Sequence, residues 1–359
     1  MDNRLFFSLH RQVLRFRTAG GMSAVLLSLL GLATPDVVWA AASPAPVAAS
    51  AGPAPGSPST APPVAASTVS GNPASAQASG EGSNTLRKIR DTGLIVLGYR
   101  AASPPFSYLD ARLKPMGYSI DLCTQMVEAI KQRLDLPELE VKYLPVSSAT
   151  RMPLVANGTV DLECGITTNT LERQKTQSFS LTIFLAQTRL MSKRVAPLRK
   201  LDDLRGLSVA STIGTTSIQL LHQANLNQQL GMRIVVGQDD HDAFRLLLTD
   251  RAAAYAMDDV LLRMSQISAA RPEDFVISDE VFSVEPYAIG LPRDDAVFKS
   301  LVDGVIAGIY QRGEIQSLYR KWFQSPIPPR GINLNLPMGE AFKRLVQKPT
   351  DSADPTAYR

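Results

Sequence analysis

From about residue 84 onward, the apolar residues switch repeatedly between two spacings, and this constrains the fold more than any other feature of the chain. Short runs such as Leu94–Gly98, Glu140–Leu144 and Val160–Cys164 read as strands. Between them lie stretches of helical period. Thr85–Thr92 is stopped by Gly93, and Ala149–Asn157 by Gly158. Leu122–Leu134 puts Leu122, Met126, Val127, Ile130 and Leu134 on one face, with Asp121 as the expected cap. This alternation predicts an α/β sheet covered by helices on both faces. It then runs a second time. Leu207–Ser211, Arg233–Val236, Ala252–Met257, Phe275–Ile277 and Tyr287–Leu291 are predicted strands, and Thr215–Gln223 and Asp242–Leu248 predicted helices. Two further helices, Val297–Arg312 and Ile315–Phe323, close the pattern. Two α/β units of similar size predict two lobes, with a ligand cleft between them beyond the carboxyl ends of the strands.

The residues before this region are of another kind. Residues 1–23 carry Arg4, Arg11, Arg15 and Arg17 against one acid, Asp2. The apolar run Ala24–Ala33 and the small-residue pattern Val38-Trp39-Ala40 follow, so residues 1–40 read as a cleaved secretory signal. The run is too short to span a bilayer, which takes about 20 apolar residues. Residues 41–83 form an Ala/Pro/Ser-rich linker, with eight prolines and no charge or aromatic ring in 41–80. Such a stretch buries too little apolar surface to offset its ordering entropy and is expected to be an extended tether. Residues 350–359 are expected to be a short tail. The mature protein is thus expected to be soluble and periplasmic.

Composition narrows the chemistry. The formal net charge of +4 falls to +2 once residues 1–40, with four Arg and two Asp, are removed. No Lys/Arg stripe remains to suggest a nucleic-acid partner. Three His and two Cys, with no paired metal-ligand motif, argue against a metal site, and nothing in the pattern calls for a cofactor.

Candidate site residues gather at predicted strand ends. Arg100 follows the first strand, Ser148 and Arg151 the second, and Thr167, Thr168 and Arg173 the third. In the second unit, Gly214-Thr215-Thr216 joins a strand to a helix start and Asp258 ends another strand. Three guanidinium forks can each take a carboxylate in bidentate fashion. The N–H groups at a helix start favour an anion, and one Asp can take an ammonium. A ligand with two carboxylates and one ammonium satisfies the set, which describes an acidic amino acid. Each piece also has a plainer reading: a solvated Arg, a capping box at Asn169–Glu172, an Asp258-Asp259 helix cap, and core positions for Phe106 and Tyr108.

Several segments together resemble the periplasmic glutamate/aspartate-binding proteins, of the polar amino-acid family that serves ABC importers. They are GYRAASPPFSY (98–108), GYSIDL (117–122), RMPLVANGTVDLECGITTNTLERQ (151–174), GTTS (214–217), MDD (257–259) and KWFQSPIPPRGINLN (321–335). The resemblance covers nearly all of 84–349. It implies a type II periplasmic-binding-protein fold, with lobe 1 formed by 84–190 and 286–349 and lobe 2 by 191–285. Two hinge strands should cross near Thr188–Ser192 and Val284–Tyr287. It further implies that Arg173, Thr168, Thr215 and Thr216 hold the α-carboxylate, and that Asp258 and the Ile166 carbonyl hold the ammonium. Arg100, Ser148 and Arg151 would hold the side-chain carboxylate. The relatives carry a His near that carboxylate. Asp240 aligns best with it, and His241 stands one place later. An Asp there would repel a ligand carboxylate, and a one-residue loop shift would bring His241 in.

The implied partners are L-glutamate or L-aspartate and the membrane permease of an ABC importer, with the protein a monomer. Two other classes remain open to this sequence. A sensory module would need a separate receptor partner. A dehydratase would need an acid or base, for which Glu163 or Asp240 are the nearby suggestions. Cys123, on the first long helix, and Cys164, on a strand of the same lobe, could form a disulfide after export or stay as two buried thiols.

Overall fold

The computed structural model describes residues 82–358. The expected export signal, the linker up to residue 81 and Arg359 lie outside the described residues. The described chain opens with α1 (Asn84–Thr92), capped by Ser83 Oγ accepting from the Leu86 N–H at 3.0 Å and ended by Gly93 at φ 62°. It continues through β1 (Leu94–Tyr99) and three short strands, β2 (Ala102–Ser103), β3 (Ser107–Leu109) and β4 (Pro115–Met116), which make a small sheet of their own. Then come α2 (Tyr118–Leu134), β5 (Glu140–Pro145), α3 (Arg151–Ala156) and β6 (Leu162–Thr168). After β7 (Ser178–Phe179) and the long β8 (Phe184–Lys193), the second half runs β9 (Ser208–Thr212), α4 (Thr216–Asn227), β10 (Arg233–Gly237), α5 (Asp240–Leu248), β11 (Ala254–Asp258), α6 (Asp259–Ser268) and β12 (Phe275–Ile277). The long β13 (Ser283–Leu291) returns the chain to α7 (Ala296–Gln311), α8 (Glu314–Phe323) and α9 (Glu340–Gln347).

Among the described residues the main sheet has ten strands, with the order β10-β9-β11-β8-β13-β6-β1-β5, β12 joining β8 and β7 joining β13. Its two ends are parallel: β1 pairs with β5 and β6, and β9 with β10 and β11. The middle is antiparallel, where β8 meets β13. Within β8, Phe184–Thr188 pair with β13 and Thr188–Ser192 with β11. Within β13, Ser283–Tyr287 pair with β8, and Tyr287 and Ala288 pair with β6. Thr188 and Tyr287 are the residues at which the two long strands change partners. Two parallel α/β halves joined through two such strands are the two-lobed fold expected from the sequence.

Aromatic packing anchors one side of this junction. Phe184, at the start of β8, has its ring centroid 4.9 Å from Phe106 and 5.0 Å from Phe323. Phe106 also lies 5.4 Å from Tyr287, and all four rings are buried. Rings of this size contribute on the order of 1.5–3 kcal/mol each by burial, which holds the start of β8 and the middle of β13 to one half. Phe106 is therefore core, as its plainer reading had it.

Four local expectations need correction. Helix α2 begins at Tyr118, not after Asp121, because Gly117 at φ 135° lets the chain pass close to Phe106, whose carbonyl would be 2.1 Å from any Cβ there. Asp121 instead lies in the first turn and accepts from Trp322 Nε1 at 2.7 Å and Lys321 Nζ at 2.6 Å. Strand β6 runs on to Thr168, so Thr167 and Thr168 belong to it rather than follow it. Asn169–Glu172 lead only into a single 3₁₀ turn, Arg173–Lys175, at whose start the Arg173 N–H donates to Thr170 Oγ1 at 3.2 Å. Residues 350–358 are packed rather than trailing: the Thr182 N–H donates to Thr350 O at 2.9 Å, and the Tyr358 and Thr182 hydroxyls lie 2.8 Å apart.

Cys123 on α2 and Cys164 on β6 are joined, with Sγ–Sγ 2.12 Å and Cα–Cα 6.2 Å. The helix is thereby fastened to the strand that carries the next site residues.

Candidate functional site

Arg100 is the first residue beyond β1. Its N–H donates to Ser107 Oγ at 2.9 Å, and its Nη1 donates to Ser148 Oγ at 2.8 Å. Ser148 sits in the turn after β5. That turn is shaped by Ser147 and Thr150, whose backbone N–H groups each donate to the other's hydroxyl, at 3.0 and 3.1 Å. The turn delivers Arg151 as the first residue of α3, and its Nη1 donates to the Ile166 carbonyl at 3.1 Å. Arg173 reaches the same place from the single turn after β6. Its Nη1 donates to Thr168 O at 2.8 Å and its Nη2 to Gly214 O at 3.2 Å, across to the second half of the sheet.

The three guanidinium-bearing residues are almost inaccessible, with exposures of 4% for Arg100, 2% for Arg151 and 5% for Arg173. Among the described residues, none of the three has a carboxylate within 4.0 Å. Arg151 Nε has no hydrogen-bond partner among them either. Burial first, and then the charges of Arg173 and Arg100, pull the Arg151 guanidinium down to about 9, against the opposing charge of Glu163. Burial also lowers Arg173, opposed by Glu285, Glu163 and Asp258. An anion placed among these groups would relieve both costs at once.

The second half contributes a helix start and a carboxylate. Thr215 caps α4: its Oγ1 accepts from the Ile218 N–H at 3.3 Å and donates to Thr212 O at 2.6 Å. The preceding Gly214, at φ 73°, lies so close to the β5–α3 turn that a Cβ would stand 2.7 Å from Ser148 O. Asp258 ends β11, buried, and accepts from Thr188 Oγ1 at 3.1 Å and from the Tyr287 hydroxyl. Burial, then the charge of Glu285, pushes its carboxyl up to about 8.

Glu285 is the residue that sequence reasoning missed. It is buried on β13, and it accepts from Thr216 Oγ1 at 2.7 Å, Thr188 Oγ1 at 3.2 Å and the Ser283 hydroxyl. An acid between Val284 and Pro286 in an otherwise apolar strand was a signal, though it pointed to no particular chemistry. Tyr287 and Thr188, expected at the hinge, also turn their hydroxyls to Asp258.

Asp240 and His241 are placed differently. Asp240 is buried at the start of α5, where it accepts from Thr212 Oγ1 at 2.9 Å and, from the other half, Ser103 Oγ at 3.3 Å. Its carboxylate is taken up by two hydroxyls. His241 is exposed and lines, with Asp240, Phe244 and Pro328, a mainly apolar cavity of about 480 Å³ between the halves. Ile166 offers its carbonyl to Arg151. Glu163 and Asp240, the two suggested catalytic acids, stand on β6 and α5, each engaged with threonine hydroxyls.

Two α/β halves joined by partner-exchanging strands, with buried cationic and anionic groups meeting at the junction, define a two-lobed solute-binding protein. The chain belongs to the bacterial extracellular solute-binding proteins, family 3, whose family model matches residues 95–325. It is 48% identical over 272 residues to the L-glutamate/L-aspartate-binding protein of Pseudomonas aeruginosa, covering 76% of this chain and 90% of that protein. It is 43% identical over 270 residues to the glutamate/aspartate import solute-binding protein of Escherichia coli, covering 75% and 89%. Among solved structures, a mutant of the arginine-binding protein ArgBP of T. maritima matches with a TM-score of 0.60 and 25% identity, over 67% of this chain and 99% of that one. No helix among the described residues is long and apolar enough to cross a membrane.

Proposed function

We propose that the protein captures an acidic amino acid, glutamate or aspartate, outside the cytoplasm and delivers it to the membrane permease of an ABC importer. The observation that carries this reading is the cluster of Arg100, Arg151 and Arg173, buried without an ion-pair partner among the described residues. Three such cations suit a ligand with two carboxylates, and Asp258 suits its ammonium. The names of the relatives in P. aeruginosa and E. coli support the same ligand class.

In this reading Arg173, Thr168 and the Thr215–Thr216 end of α4 receive the α-carboxylate. Arg100, Ser148 and Arg151 receive the side-chain carboxylate. Lobe 1 comprises 84–190 and 286–349, and lobe 2 comprises 191–285. Because the contacts come from both lobes, the ligand binds the closed form more tightly and shifts the population toward it. The permease then meets a closed, loaded protein. The protein acts as a monomer in the periplasm, after export by its N-terminal segment, and the ligand leaves chemically unchanged.

Calorimetry on protein freed of co-purified ligand tests this reading. Arg151→Ala should weaken glutamate by roughly 2–5 kcal/mol, the cost of leaving a buried charge unpaired, and glutamine far less. Equal losses for the two ligands would remove Arg151 from the side-chain end of the site.

A further inference from the structure

Behind the arginine cluster lies a carboxylate that the binding scheme does not use. Glu163 is 1% exposed on β6. Its Oε2 accepts from Thr167 Oγ1 at 2.5 Å, and its Oε1 has no hydrogen-bond partner among the described residues. Two glycines make room for it. A Cβ on Gly165 would lie 2.2 Å from Glu163 Oε1 and 3.1 Å from Arg100 Cγ. A Cβ on Gly290 would lie 3.2 Å from Glu163 Cβ and 3.0 Å from Gln177 Nε2. The carboxylate is therefore boxed in place beside the cluster, yet it forms no ion pair within 4.0 Å with any of the three arginines. Its charge nevertheless raises both Arg151 and Arg173, opposing their burial.

We infer that Glu163 is a fixed counter-charge, held at a distance from the arginines, that sets how strongly the cluster discriminates an acidic from a neutral ligand. Three buried cations without compensation would repel one another and destabilise the empty protein. A carboxylate paired directly with them would occupy the donors the ligand needs. A carboxylate held farther off offsets the field and leaves the hydrogen-bonding edges of the guanidiniums open. Its cost is some attraction for the ligand, since its own charge opposes the incoming carboxylate. Glu163 is in this sense a specificity-determining positioning residue that does not touch the ligand. The inference rests on the cleft receiving an acidic amino acid.

The test is Glu163→Gln, which keeps the shape and removes the charge. Glutamate binding by the wild-type protein is measured first, because its failure would overturn the proposed function itself. Given that binding, the variant should unfold roughly 5 °C lower than wild type without ligand. It should bind glutamate about tenfold more tightly, as one opposing charge at reduced dielectric implies, with glutamine changing by less than about threefold. A residue that only accepts a hydrogen bond from Thr167 would lower the unfolding temperature without raising affinity. Unchanged or weakened glutamate binding, or glutamine tightening in step, would overturn the inference. Glu163→Asp supplies a second arm: keeping the charge, it should keep the wild-type glutamate-to-glutamine ratio, and a ratio raised as in Glu163→Gln would also overturn it.

Discussion

Lowering the pH from 8 to 6 should weaken ligand capture by up to about fiftyfold, and the expected cause is Asp258. In this structure the carboxyl is buried beside Glu285, and its titration is pushed up to about 8. The other groups facing it are Tyr287, Thr188 and Asp259, which leave it without a cation in direct contact, while Arg173 acts at longer range. In the proposed binding scheme the ligand's ammonium pairs with ionised Asp258, so binding would expel the proton that this carboxyl holds. Two pH units below its midpoint only about one molecule in a hundred is ionised, against about half at the midpoint, an apparent loss of about 2 kcal/mol at about 1.36 kcal/mol per tenfold. The sign for stability is opposite to that of a salt-bridged Asp. The folded value lies above the reference value of 3.8, so this group's stabilisation is full below about pH 4 and is lost as the pH rises through about 8. Ligand should cancel the alkaline part of that loss. Titration calorimetry in buffers of different ionisation enthalpy reads the released proton directly. It should approach one per ligand near pH 6 and vanish well above pH 8. An affinity flat from pH 6 to 8, with heats independent of buffer, would refute the reasoning.

Two further outcomes follow from the packing. Gly214→Ala should cost about 1–2 kcal/mol for its left-handed backbone, and the clash of its Cβ with Ser148 O should weaken ligand binding at least tenfold by calorimetry. Unchanged affinity would mean that this contact plays no part in closure. Reducing the Cys123–Cys164 bond, which spans 41 residues, should lower stability by roughly 4 kcal/mol in denaturant titration. A midpoint unmoved by reductant would show that the loop it closes is already constrained.

Much of this was legible because the signals were local. Leu94–Tyr99 and Ala254–Asp258 are buried along nearly their whole length, so their sequences read as continuous apolar runs. Arg100, Arg151 and Arg173 could be grouped because each falls just past a strand or opens the next turn. Strand β8 was harder to read from pattern, since FLAQTRLMSK sets Gln187 and Arg189 among its apolar residues while its neighbour changes from β13 to β11. Asp240 could be aligned but not oriented, because only the fold brings Ser103 and Thr212 to its two oxygens. The role of Glu285 was unreadable for the same reason: its partners, Thr188 and Thr216, are distant in sequence.

Thr188 belongs to both ladders of the central sheet, with its Cα opposite Ser283 on β13 and opposite Asp258 on β11. Its hydroxyl also reaches both Asp258 and Glu285. A twist of one half against the other must therefore be felt at the residue whose side chain touches two buried carboxylates, one of them Asp258, proposed to take the ligand's ammonium. Mechanical angle and electrical occupancy share one pivot. A membrane partner gauging only the angle between the halves would learn the charge state of a site it never touches.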